Sequence, residues 1–516
     1  MLIDSERQRL WLRVRNPESV LSVIPTAKMV EYKGHPLIAV PHRYEEWRVL
    51  RNIGINAPAP TAYYDWPGCT PFAHQRTTVD FLLANPRAFV LSGMGTGKTR
   101  AVLWALDYLK KVGRIRKVLI VSPLSTLERV WGDELFSYFP RLSFQVLYGS
   151  REQRLTKLKN DVDVFIINHD GIKLPAITEA LNKREDIDVI VIDELAVFRK
   201  HGTDRYKALK KIVQGRPWVW GLTGTPTPNA PTDAWAQIKL VRPEATTPYF
   251  STFRDMTMMQ RGMYVWVPKA NALDVVHAQM QPAIRYARED CIDLPPTLYR
   301  TLPAPMTATQ HVAYHDMLVR MKTDFDNGQV TAVNEGVQCL KLLQICCGVV
   351  YGNEGEQLKT DAGPRAQLVA ELVEEADAKV IVFVPFRAAL DYLADKLAKH
   401  FSVARLSGAT AKGERDKIFL SFQNEKDPRV LVAQPAAMSH GLSLTAANTI
   451  IWYGPTSAEI YEQANARVTR PGQTKNTFVV NLESSELERR AYTRLQHKRK
   501  LQGILLDMFQ HEKIIG

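Results

Sequence analysis

The stretch Ala88-Phe-Val-Leu-Ser-Gly-Met-Gly-Thr-Gly-Lys-Thr99 decides the fold of this 516-residue chain. It begins with four apolar or small residues, which are typical of a buried strand, and continues through a glycine-rich turn to Lys98 and Thr99. Apolar side chains then recur at helical spacing up to Leu109. A strand, a glycine turn and a helix in this order predict a loop whose backbone N–H groups and helix N-terminus bind phosphate.

Each position of this loop has a predicted role. The glycines let the backbone turn its N–H groups toward the phosphates, Lys98 is expected to reach the β- and γ-phosphates, and Thr99 is expected to bind Mg²⁺. Ser92 stands where the strict pattern has a glycine, but three glycines remain. Gln75, eighteen residues before Gly93, can pair with adenine N6 and N7. The predicted nucleotide contacts are Gln75, Gly93, Met94, Gly95, Thr96, Gly97, Lys98 and Thr99.

Four further strands are predicted after the loop, at residues 118–121, 162–167, 189–192 and 218–222. Because they alternate with helical or polar segments, they predict a parallel, doubly wound sheet. Ligands of such sheets bind beyond the carboxyl ends of the strands. Polar motifs stand at those ends, namely Ser122-Pro-Leu-Ser-Thr126, Asn168-His-Asp170, Asp193-Glu194 and Thr223-Gly-Thr-Pro226.

Asp193 and Glu194 form the predicted hydrolytic pair. Asp193 is expected to hold Mg²⁺ through water, and Glu194 to orient and deprotonate the attacking water. The alternative is a solvated acidic pair at the end of a strand.

A second group of strands predicts a second α/β lobe, which has no phosphate loop of its own. The strands are expected at residues 380–384, 403–406, 430–433, 449–452 and 478–482. Arg467 and Arg470 follow the fourth of them and, being three residues apart, would share one face of a helix. Their guanidinium groups could stabilise the γ-phosphate during transfer, or they could be two surface arginines.

The chain divides into five predicted segments within an α/β fold. Residues 1–66 form a small β-β-α module, for which nucleic-acid binding and a packing role are both open. The first lobe spans 67–230, helical insertions and an inter-lobe connection span 231–375, and the second lobe spans 376–485. Residues 486–516 form a basic helical tail.

Composition narrows the class of partner. The chain carries 67 Lys and Arg against 54 Asp and Glu, a net charge of +13. This surplus indicates a polyanionic partner, although some basic proteins have none. The five cysteines form no C-x-x-C pair, which argues against a zinc ribbon and for reduced thiols in a cytosol. No apolar stretch approaches the ~18 residues of a membrane span.

Together these motifs resemble those of the superfamily two helicases and translocases, in the family's order. The resemblance covers residues 70 to 485 and rests on Thr70–Gln75, Gly93–Thr99, Asp193-Glu194, Thr223–Pro226, Gly441–Thr445 and Gln463–Gln473. Arg470-Pro-Gly-Gln473, with Gly441-Leu-Ser-Leu444 and Leu342–Gly348, is similar to the corresponding motifs of the Swi/Snf-like branch. The front module and Tyr64-Asp-Trp66 are similar to small phage-encoded members.

The resemblance implies two RecA-like lobes, ATP and Mg²⁺ as cofactors, and an ATP hydrolase that moves along DNA, duplex or branched. It also implies little sequence specificity, replication or recombination proteins as partners, and a bacterial host cytoplasm. Candidate backbone contacts to nucleic acid are Ser125, Thr126, Asn168, His169, Ser407, Gly408 and Thr445. A strand-separating DNA or RNA helicase and a nucleic-acid-binding protein switched by ATP are the alternatives.

Two positions depart from the family pattern. The acidic motif reads Asp193-Glu-Leu-Ala196, and Ala196 stands where many relatives have histidine. Ser443 replaces the usual asparagine of motif five. Because Ala196 cannot donate a hydrogen bond from its side chain, the link from the acidic motif to the Thr223 motif is expected to take another route.

Overall fold

The computed structural model describes residues 1–262, 265–287, 291, 295–325, 328–332, 335–352, 356–438, 443–470 and 472–496. Within these ranges the chain builds one antiparallel sheet of four strands, two parallel sheets of seven and six strands, and three two-stranded ribbons. The predicted fold class, two doubly wound parallel-sheet lobes behind a small front module, is therefore confirmed.

The front module is an antiparallel sheet in the order β1-β2-β4-β3. Its elements are β1 (Leu2–Asp4), β2 (Arg9–Leu12), α1 (Glu18–Leu21), β3 (Lys28–Tyr32), β4 (His35–Pro41) and α2 (Tyr44–Asn52). This module is larger than the predicted β-β-α unit. Residues 20–24, expected as a strand, instead begin in α1, because Val20 and Ile24 are buried at helical spacing and the Val20 N–H donates to the Pro17 carbonyl.

The front module shares its core with the first lobe. Tyr44 of α2 donates a hydrogen bond to the Leu83 carbonyl (2.9 Å), and the Tyr64 hydroxyl donates to Asp107 (2.5 Å). Leu10, Trp47 and residues of the first lobe belong to one buried apolar cluster. The front module and the first lobe are therefore packed together around one continuous hydrophobic core.

The first lobe is a parallel sheet in the order β13-β5-β10-β9-β6-β8-β7. Its elements are α3 (Ala73–Ala84), β5 (Arg87–Val90), α4 (Lys98–Lys111), β6 (Lys117–Ser122), α5 (Asp133–Tyr138), β7 (Phe144–Val146), α6 (Arg151–Leu158), β8 (Val164–Asn168), α7 (Pro175–Asn182), β9 (Ile187–Asp193), α8 (Asp204–Val213), β10 (Trp218–Leu222), α9 (Ala234–Val241), α10 (Phe250–Thr257), β11 (Met258–Gln260), β12 (Trp266–Pro268), α11 (Ala272–Gln279) and β13 (Ala283–Ile284).

The strands of this sheet are apolar on both faces. In β9, Val189 and Val191 belong to the cluster on one face, whereas Ile190 and Ile192 belong to the cluster on the other. Helices cover both faces, so near-continuous apolar runs are the sequence pattern such strands require.

Strand β13 lies inside the segment expected to hold helical insertions. It pairs in parallel with β5 and completes the edge of the sheet beside the phosphate loop. A strand of two residues is too short to show an alternating pattern in the sequence, which explains why no strand was predicted there.

The second lobe is a parallel sheet in the order β14-β23-β22-β19-β21-β20. Its elements are β14 (Thr297–Pro303), α12 (Ala308–Arg320), β15 (Lys322–Phe325), β16 (Gly328–Thr331), α13 (Glu335–Cys346), β17 (Val349–Tyr351), β18 (Gln357–Lys359), α14 (Gly363–Glu375), β19 (Lys379–Phe383), α15 (Arg387–Leu397), β20 (Val403–Leu406), α16 (Lys412–Asn424), β21 (Val430–Ala433), β22 (Ala447–Trp452), α17 (Ala458–Asn465) and β23 (Thr477–Glu483).

Strand β14 was also not predicted from the sequence. It pairs with β23 over its whole length, from Thr297 opposite Thr477 to Pro303 opposite Glu483. Because β14 is an edge strand and mostly exposed, it lacks the apolar run that identified the central strands.

A helical segment at residues 486–496 follows the last strand and packs on the second lobe. Its Glu488 is fully buried and forms an ion pair with Arg365 of α14 (2.8 Å). The remaining part of the predicted basic tail, residues 497–516, lies outside the described residues. No helix in the described part of the chain combines the length and the apolar character needed to cross a bilayer.

Candidate nucleotide site between the lobes

The phosphate loop joins β5 to α4 at the carboxyl edge of the first sheet. Gly95 and Gly97 both have positive φ angles, 80° and 76°, and Gly97 stands immediately before the first turn of α4. A Cβ added at Gly97 would overlap the side-chain nitrogen of Gln75. The positive φ at Gly97 favours glycine, and a larger residue there would also displace the end of the Gln75 side chain.

Ser92 has a structural role at the position where the strict pattern has glycine. Its hydroxyl oxygen accepts a hydrogen bond from the N–H of Tyr286 (3.0 Å), and the Gly93 N–H donates to the Tyr286 carbonyl (2.9 Å). The Thr96 hydroxyl donates to the Gly93 carbonyl (2.9 Å). These bonds brace the loop against the chain that follows β13.

Lys98 lies at the first position of α4 with its ammonium group turned back into the loop. Its Nζ donates to the carbonyls of Ser92 (2.7 Å) and Gly93 (2.9 Å). Burial lowers the pKa of Lys98, while the charges of Glu194 and Asp193 act in the opposite direction. Lys98 is thus a desolvated cation inside the loop that the sequence predicts to bind phosphate.

The predicted adenine reader, Gln75, is buried at the rim of the loop. Its Oε1 accepts the N–H of Phe72 (2.9 Å), and the neighbouring His74 donates through Nε2 to the Thr96 carbonyl (2.9 Å). Phe72 stacks on His74 with ring centroids 5.7 Å apart, yet 62% of Phe72 is exposed at the cleft. Phe72 was not predicted, because only the fold shows that this aromatic residue faces the loop.

Asp193 and Glu194 stand at the carboxyl end of β9. Asp193 accepts a hydrogen bond from the indole N–H of Trp131 (2.9 Å) and one from the Glu194 backbone N–H (3.0 Å). Burial raises the pKa of Asp193, and both hydrogen bonds and Lys98 oppose that rise. Trp131 was not predicted, because nothing in the sequence connects it to a residue 62 positions away.

Glu194 has the electrostatic setting of a general base. Burial, followed by the charge of Asp193, raises the pKa of Glu194 to about 7. Its backbone has a φ of 53°, in the left-handed region that non-glycine residues rarely adopt. The turn therefore holds the carboxyl group at the cleft in a constrained position.

The Thr223 motif contacts Glu194 directly. The Thr223 hydroxyl donates to Glu194 Oε1 (3.4 Å) and accepts the N–H of Thr225 (3.1 Å). This contact links the acidic motif to the following motif without a side chain from Ala196.

Arg467 and Arg470 face this site from the second lobe. They lie in the turns after α17 and not on one face of a helix, because α17 ends at Asn465. Arg470 donates through Nε to the Ala466 carbonyl (3.0 Å) and through Nη1 to Ser443 (3.5 Å). Arg467 is 7% exposed, and within the described structure its Nε has no hydrogen-bond partner.

The charge of Arg467 is only partly compensated, by Glu194 of the first lobe. Burial, followed by the neighbouring charge of Arg470, lowers the pKa of Arg467 to about 9. An anion bound between the lobes would satisfy both the open Nε and the paired positive charges, so the arginines fit a bound phosphate.

A cleft of about 1020 Å³ brings these groups together. Its walls include Gln75, Met94, Gly95, Thr96, Gly97, Lys98, Thr99, Asp193 and Glu194 from the first lobe and Gln463, Arg467 and Arg470 from the second. Residues separated by nearly 400 positions thus share one cavity.

Three of the four nucleic-acid candidates of the first lobe line this cleft, namely Thr126, Asn168 and His169. Asn168 and His169 are both buried. Asn168 accepts a hydrogen bond from Arg154 (3.0 Å), and His169 donates one to the Asp193 carbonyl (2.8 Å). Burial lowers the pKa of His169 to about 4. Ser125 and Thr126 lie in the turn after β6, where the Thr126 hydroxyl donates to the Pro123 carbonyl (3.1 Å).

The nucleic-acid candidates of the second lobe are next to strands of the second sheet. Ser407 and Gly408 follow β20, and the Gly408 N–H donates to Gln434 (2.9 Å). Thr445 accepts a hydrogen bond from Gln423 (3.1 Å). Contact with nucleic acid stays a prediction for all seven residues, and Gly441, Leu442 and Pro471 of the quoted motifs lie outside the described residues.

Thr99 and Asp193, the metal ligands that the sequence predicts, both line the cleft. In the described part of the chain, no three His, Cys, Asp or Glu side chains converge on a possible metal position. Two protein oxygens suit Mg²⁺, which usually keeps several waters and takes further ligands from a substrate's phosphates.

Two α/β lobes with a phosphate loop and an acidic pair on one side of a cleft and two arginines on the other define an ATP hydrolase of the helicase class. Comparison with protein families refines this class. Residues 74–348 match the SNF2-related domain, and residues 364–472 match the helicase conserved C-terminal domain. The chain belongs to the SNF2-related family, as the sequence motifs predicted.

Similar proteins come from a phage, a plant and an archaeon. The p41 protein of Acyrthosiphon pisum secondary endosymbiont phage 1 is 26% identical over 86% of this chain and 99% of its own length. The ATP-dependent DNA helicase DDM1 of Arabidopsis thaliana is 24% identical over 81% of this chain and 59% of its own. This chain spans about 40 to 60% of DDM1 and the other relatives it matches from animals, plants and yeast.

Among solved structures, the chain is similar to the SWI2/SNF2 ATPase core of Sulfolobus solfataricus in complex with double-stranded DNA. The identity is 22%, the match covers 87% of this chain and 96% of that one, and the TM-score is 0.42.

Proposed function

We propose that this protein couples ATP hydrolysis in the inter-lobe cleft to movement along DNA, duplex or branched. The single observation that carries the proposal is the placement of Lys98 and Glu194 opposite Arg467 and Arg470, on two lobes that line one cavity. Hydrolysis at such a site changes the fit between the lobes, so a cycle of ATP binding and release can move one lobe relative to the other.

The residues of the cleft divide the chemistry between them. Lys98 binds the β- and γ-phosphates, and Glu194, in its deprotonated form, takes the proton of the attacking water. Mg²⁺, held by Thr99 and Asp193, would neutralise charge on the phosphate oxygens. Arg467 and Arg470 stabilise the charge that moves to the leaving oxygens in the transition state.

The net charge of +13 supports binding to a polyanion along which the protein moves. DNA is the nucleic acid we favour, because the family's relatives include an ATP-dependent DNA helicase and an ATPase core solved with double-stranded DNA. The predicted contacts at the carboxyl edges of the sheets would bind phosphates, so we expect little dependence on base sequence.

The front module is a second proposed DNA contact. On its outer face Trp11 and Tyr32 lie edge to face with ring centroids 4.6 Å apart, both are partly exposed, and Lys33 lies over the Tyr32 ring (5.4 Å). Arg9 and Lys28 share this face by strand register and are exposed. Aromatic rings beside cations are suited to nucleotides.

We further propose a bacterial host cytoplasm as the place of action, with replication or recombination proteins as partners. The match over 99% of a phage protein supports this location. All five cysteines are free thiols, which agrees with a reducing compartment.

The deciding experiment compares ATP turnover on duplex, single-stranded and forked DNA and on RNA of matched length. We expect duplex or forked DNA to stimulate turnover most, together with displacement of a triplex-forming strand from the duplex. Greatest stimulation by single strands or RNA would indicate a strand-separating helicase instead. Nucleic-acid binding that depends on ATP, without any stimulated turnover, would indicate a switch.

A further inference from the structure

An ion pair connects the two lobes beside the catalytic carboxylate. Arg199 follows the helical turn Leu195–Phe198 that begins next to Glu194, and Glu459 is the second residue of α17. Arg199 Nη1 lies 3.4 Å from Glu459 Oε2, and each side chain is 22% exposed. The pair is therefore partly shielded from water and spans the boundary between the lobes.

The arginine is tied to the acidic motif on the first lobe. Arg199 Nη1 donates to the carbonyl of Ala196 (3.0 Å), and the Val197 N–H donates to the Glu194 carbonyl (3.0 Å). Arg199 Nε is buried and, within the described structure, has no hydrogen-bond partner. Asp233 of the first lobe also acts on this guanidinium by its charge, and Glu459 of the other lobe is the carboxylate that forms the ion pair with it.

The glutamate is tied to the arginines on the second lobe. Helix α17 is held at its end by the bond from Trp452 Nε1 to Asn465 (3.0 Å) and in its middle by the bond from Tyr461 to Asn481 (3.0 Å). Arg467 follows two residues after Asn465. Arg467 lies in the cleft on the segment that continues from this helix. A displacement of Glu459 would therefore also displace Arg467.

We propose that Arg199 and Glu459 are a positioning pair that sets the register of the second lobe on the first, so that Arg467 and Arg470 reach the phosphates while Glu194 is in place. The proposal rests on hydrolysis in the cleft. The Arg199–Glu459 pair is a contact between the lobes that involves neither the phosphate loop nor Arg467 and Arg470. In this chain the acidic motif reaches the second lobe through Arg199, three residues after Ala196.

Charge reversal and charge exchange test the pair. Glu459→Arg or Arg199→Glu alone places like charges together, and we expect kcat to fall by ~10-fold or more with KM for ATP within ~3-fold, because substrate contacts remain. The exchange Arg199→Glu with Glu459→Arg should return kcat to within ~3-fold of the original protein. Both basal and DNA-stimulated kcat are measured, with circular dichroism and Tm as the check on folding.

A matched control is Asp186→Arg, which reverses a carboxylate of similar exposure whose partner, Arg184, lies in the same lobe (2.7 Å; exposures 32% and 23%). We expect its kcat to stay within ~2-fold of the original. Loss in this control equal to that in the inter-lobe variants would overturn the specific role of the pair.

The isosteric variant Glu459→Gln removes the charge and keeps the volume, so a role in packing alone would leave kcat unchanged. If the charge positions the second lobe, kcat should fall while KM for ATP stays within ~3-fold. Asp186→Arg should leave both constants in place.

The proposal is overturned if folded single reversals keep kcat within ~2-fold, or if the exchange variant is no better than the singles. An unchanged kcat in folded Glu459→Gln would equally overturn it. Basal turnover separates this test from the proposed function, because the pair can be scored on hydrolysis alone even if no nucleic acid stimulates the enzyme.

Discussion

Lys98 is the residue on which nucleotide turnover depends most directly. Its ammonium group is buried among the loop carbonyls at 2.7 and 2.9 Å, so its replacement removes the only side-chain cation that the loop itself provides. We expect Lys98→Ala to reduce kcat/KM by at least ~10²-fold, because the phosphates lose their counter-charge. Lys111→Ala, at the exposed end of the same helix, is the control and should keep turnover within ~2-fold. Near-normal hydrolysis by Lys98→Ala would show that the loop has been assigned wrongly.

Glu194 should set the acidic limb of the pH profile. A base acts when deprotonated, and the pKa of Glu194 is raised to about 7 by burial and by Asp193. Activity should therefore be lost as the pH falls through about 7 in kcat/KM measurements, which report the free enzyme. Glu194→Gln should bind ATP and fail to hydrolyse it.

A second variant distinguishes Glu194 from other groups that titrate near neutrality. The Thr223 hydrogen bond lowers the pKa of Glu194, so Thr223→Val should move the acidic limb to higher pH. A limb that does not move in Thr223→Val would assign the titration to another group.

At the scale of elements, the turns after α17 should matter for the transition state more than for binding. We expect Arg470→Ala to reduce DNA-stimulated kcat by at least ~10²-fold, and Arg467→Ala to do the same or somewhat less, with ATP affinity within ~10-fold. Single-turnover hydrolysis and equilibrium nucleotide binding on saturating duplex measure the two effects. The exposed Arg490, on the helical segment 486–496, provides the control Arg490→Ala.

Either of two results would change this interpretation. Normal turnover in both arginine variants would mean that the second lobe does not complete the site. A loss of ATP affinity as large as the loss of kcat would mean that the arginines bind the ground state, with the cleft already closed before the chemistry.

Elements also show where sequence patterns are informative. The central strands β6, β8 and β9 were predicted because both of their faces are buried and their apolar runs are continuous. Strands β13 and β14 were missed because the first has two residues and the second is largely exposed. In both cases backbone pairing with a neighbouring strand, and not side-chain pattern, makes the strand.

At the scale of the whole molecule, the charge surplus should appear in the salt dependence of DNA binding. We expect the plot of log K against log[salt] to fall with a slope of several units, about −0.9 for each phosphate neutralised on duplex. Lys28→Glu, on the outer face of the front module, should make this slope less steep if that face binds DNA. Lys399→Glu makes the same charge change at the amino edge of the second sheet, away from the cleft, and serves as the control. A flat response in the original protein would point to a protein partner.

By itself, the sequence determined where the glycine loop and the acidic pair stand, each at the end of a strand of the first sheet. The glycine loop, Lys98 and the Asp193-Glu194 pair are local features, since backbone angles and strand ends depend on residues close together in the chain. The apolar periods likewise determined two parallel sheets. These features could be predicted because their physical causes lie within a few residues of one another.

Only the tertiary structure decided how these residues meet the residues of other elements and of the second lobe. The bonds of Trp131 to Asp193, Thr223 to Glu194 and Arg199 to Glu459 join residues from different elements, and the last joins different lobes. No local pattern encodes such contacts, because they depend on how sheets and helices pack. The pKa of Glu194 near 7 arises in the same way, since burial and neighbouring charges exist only once the chain has folded.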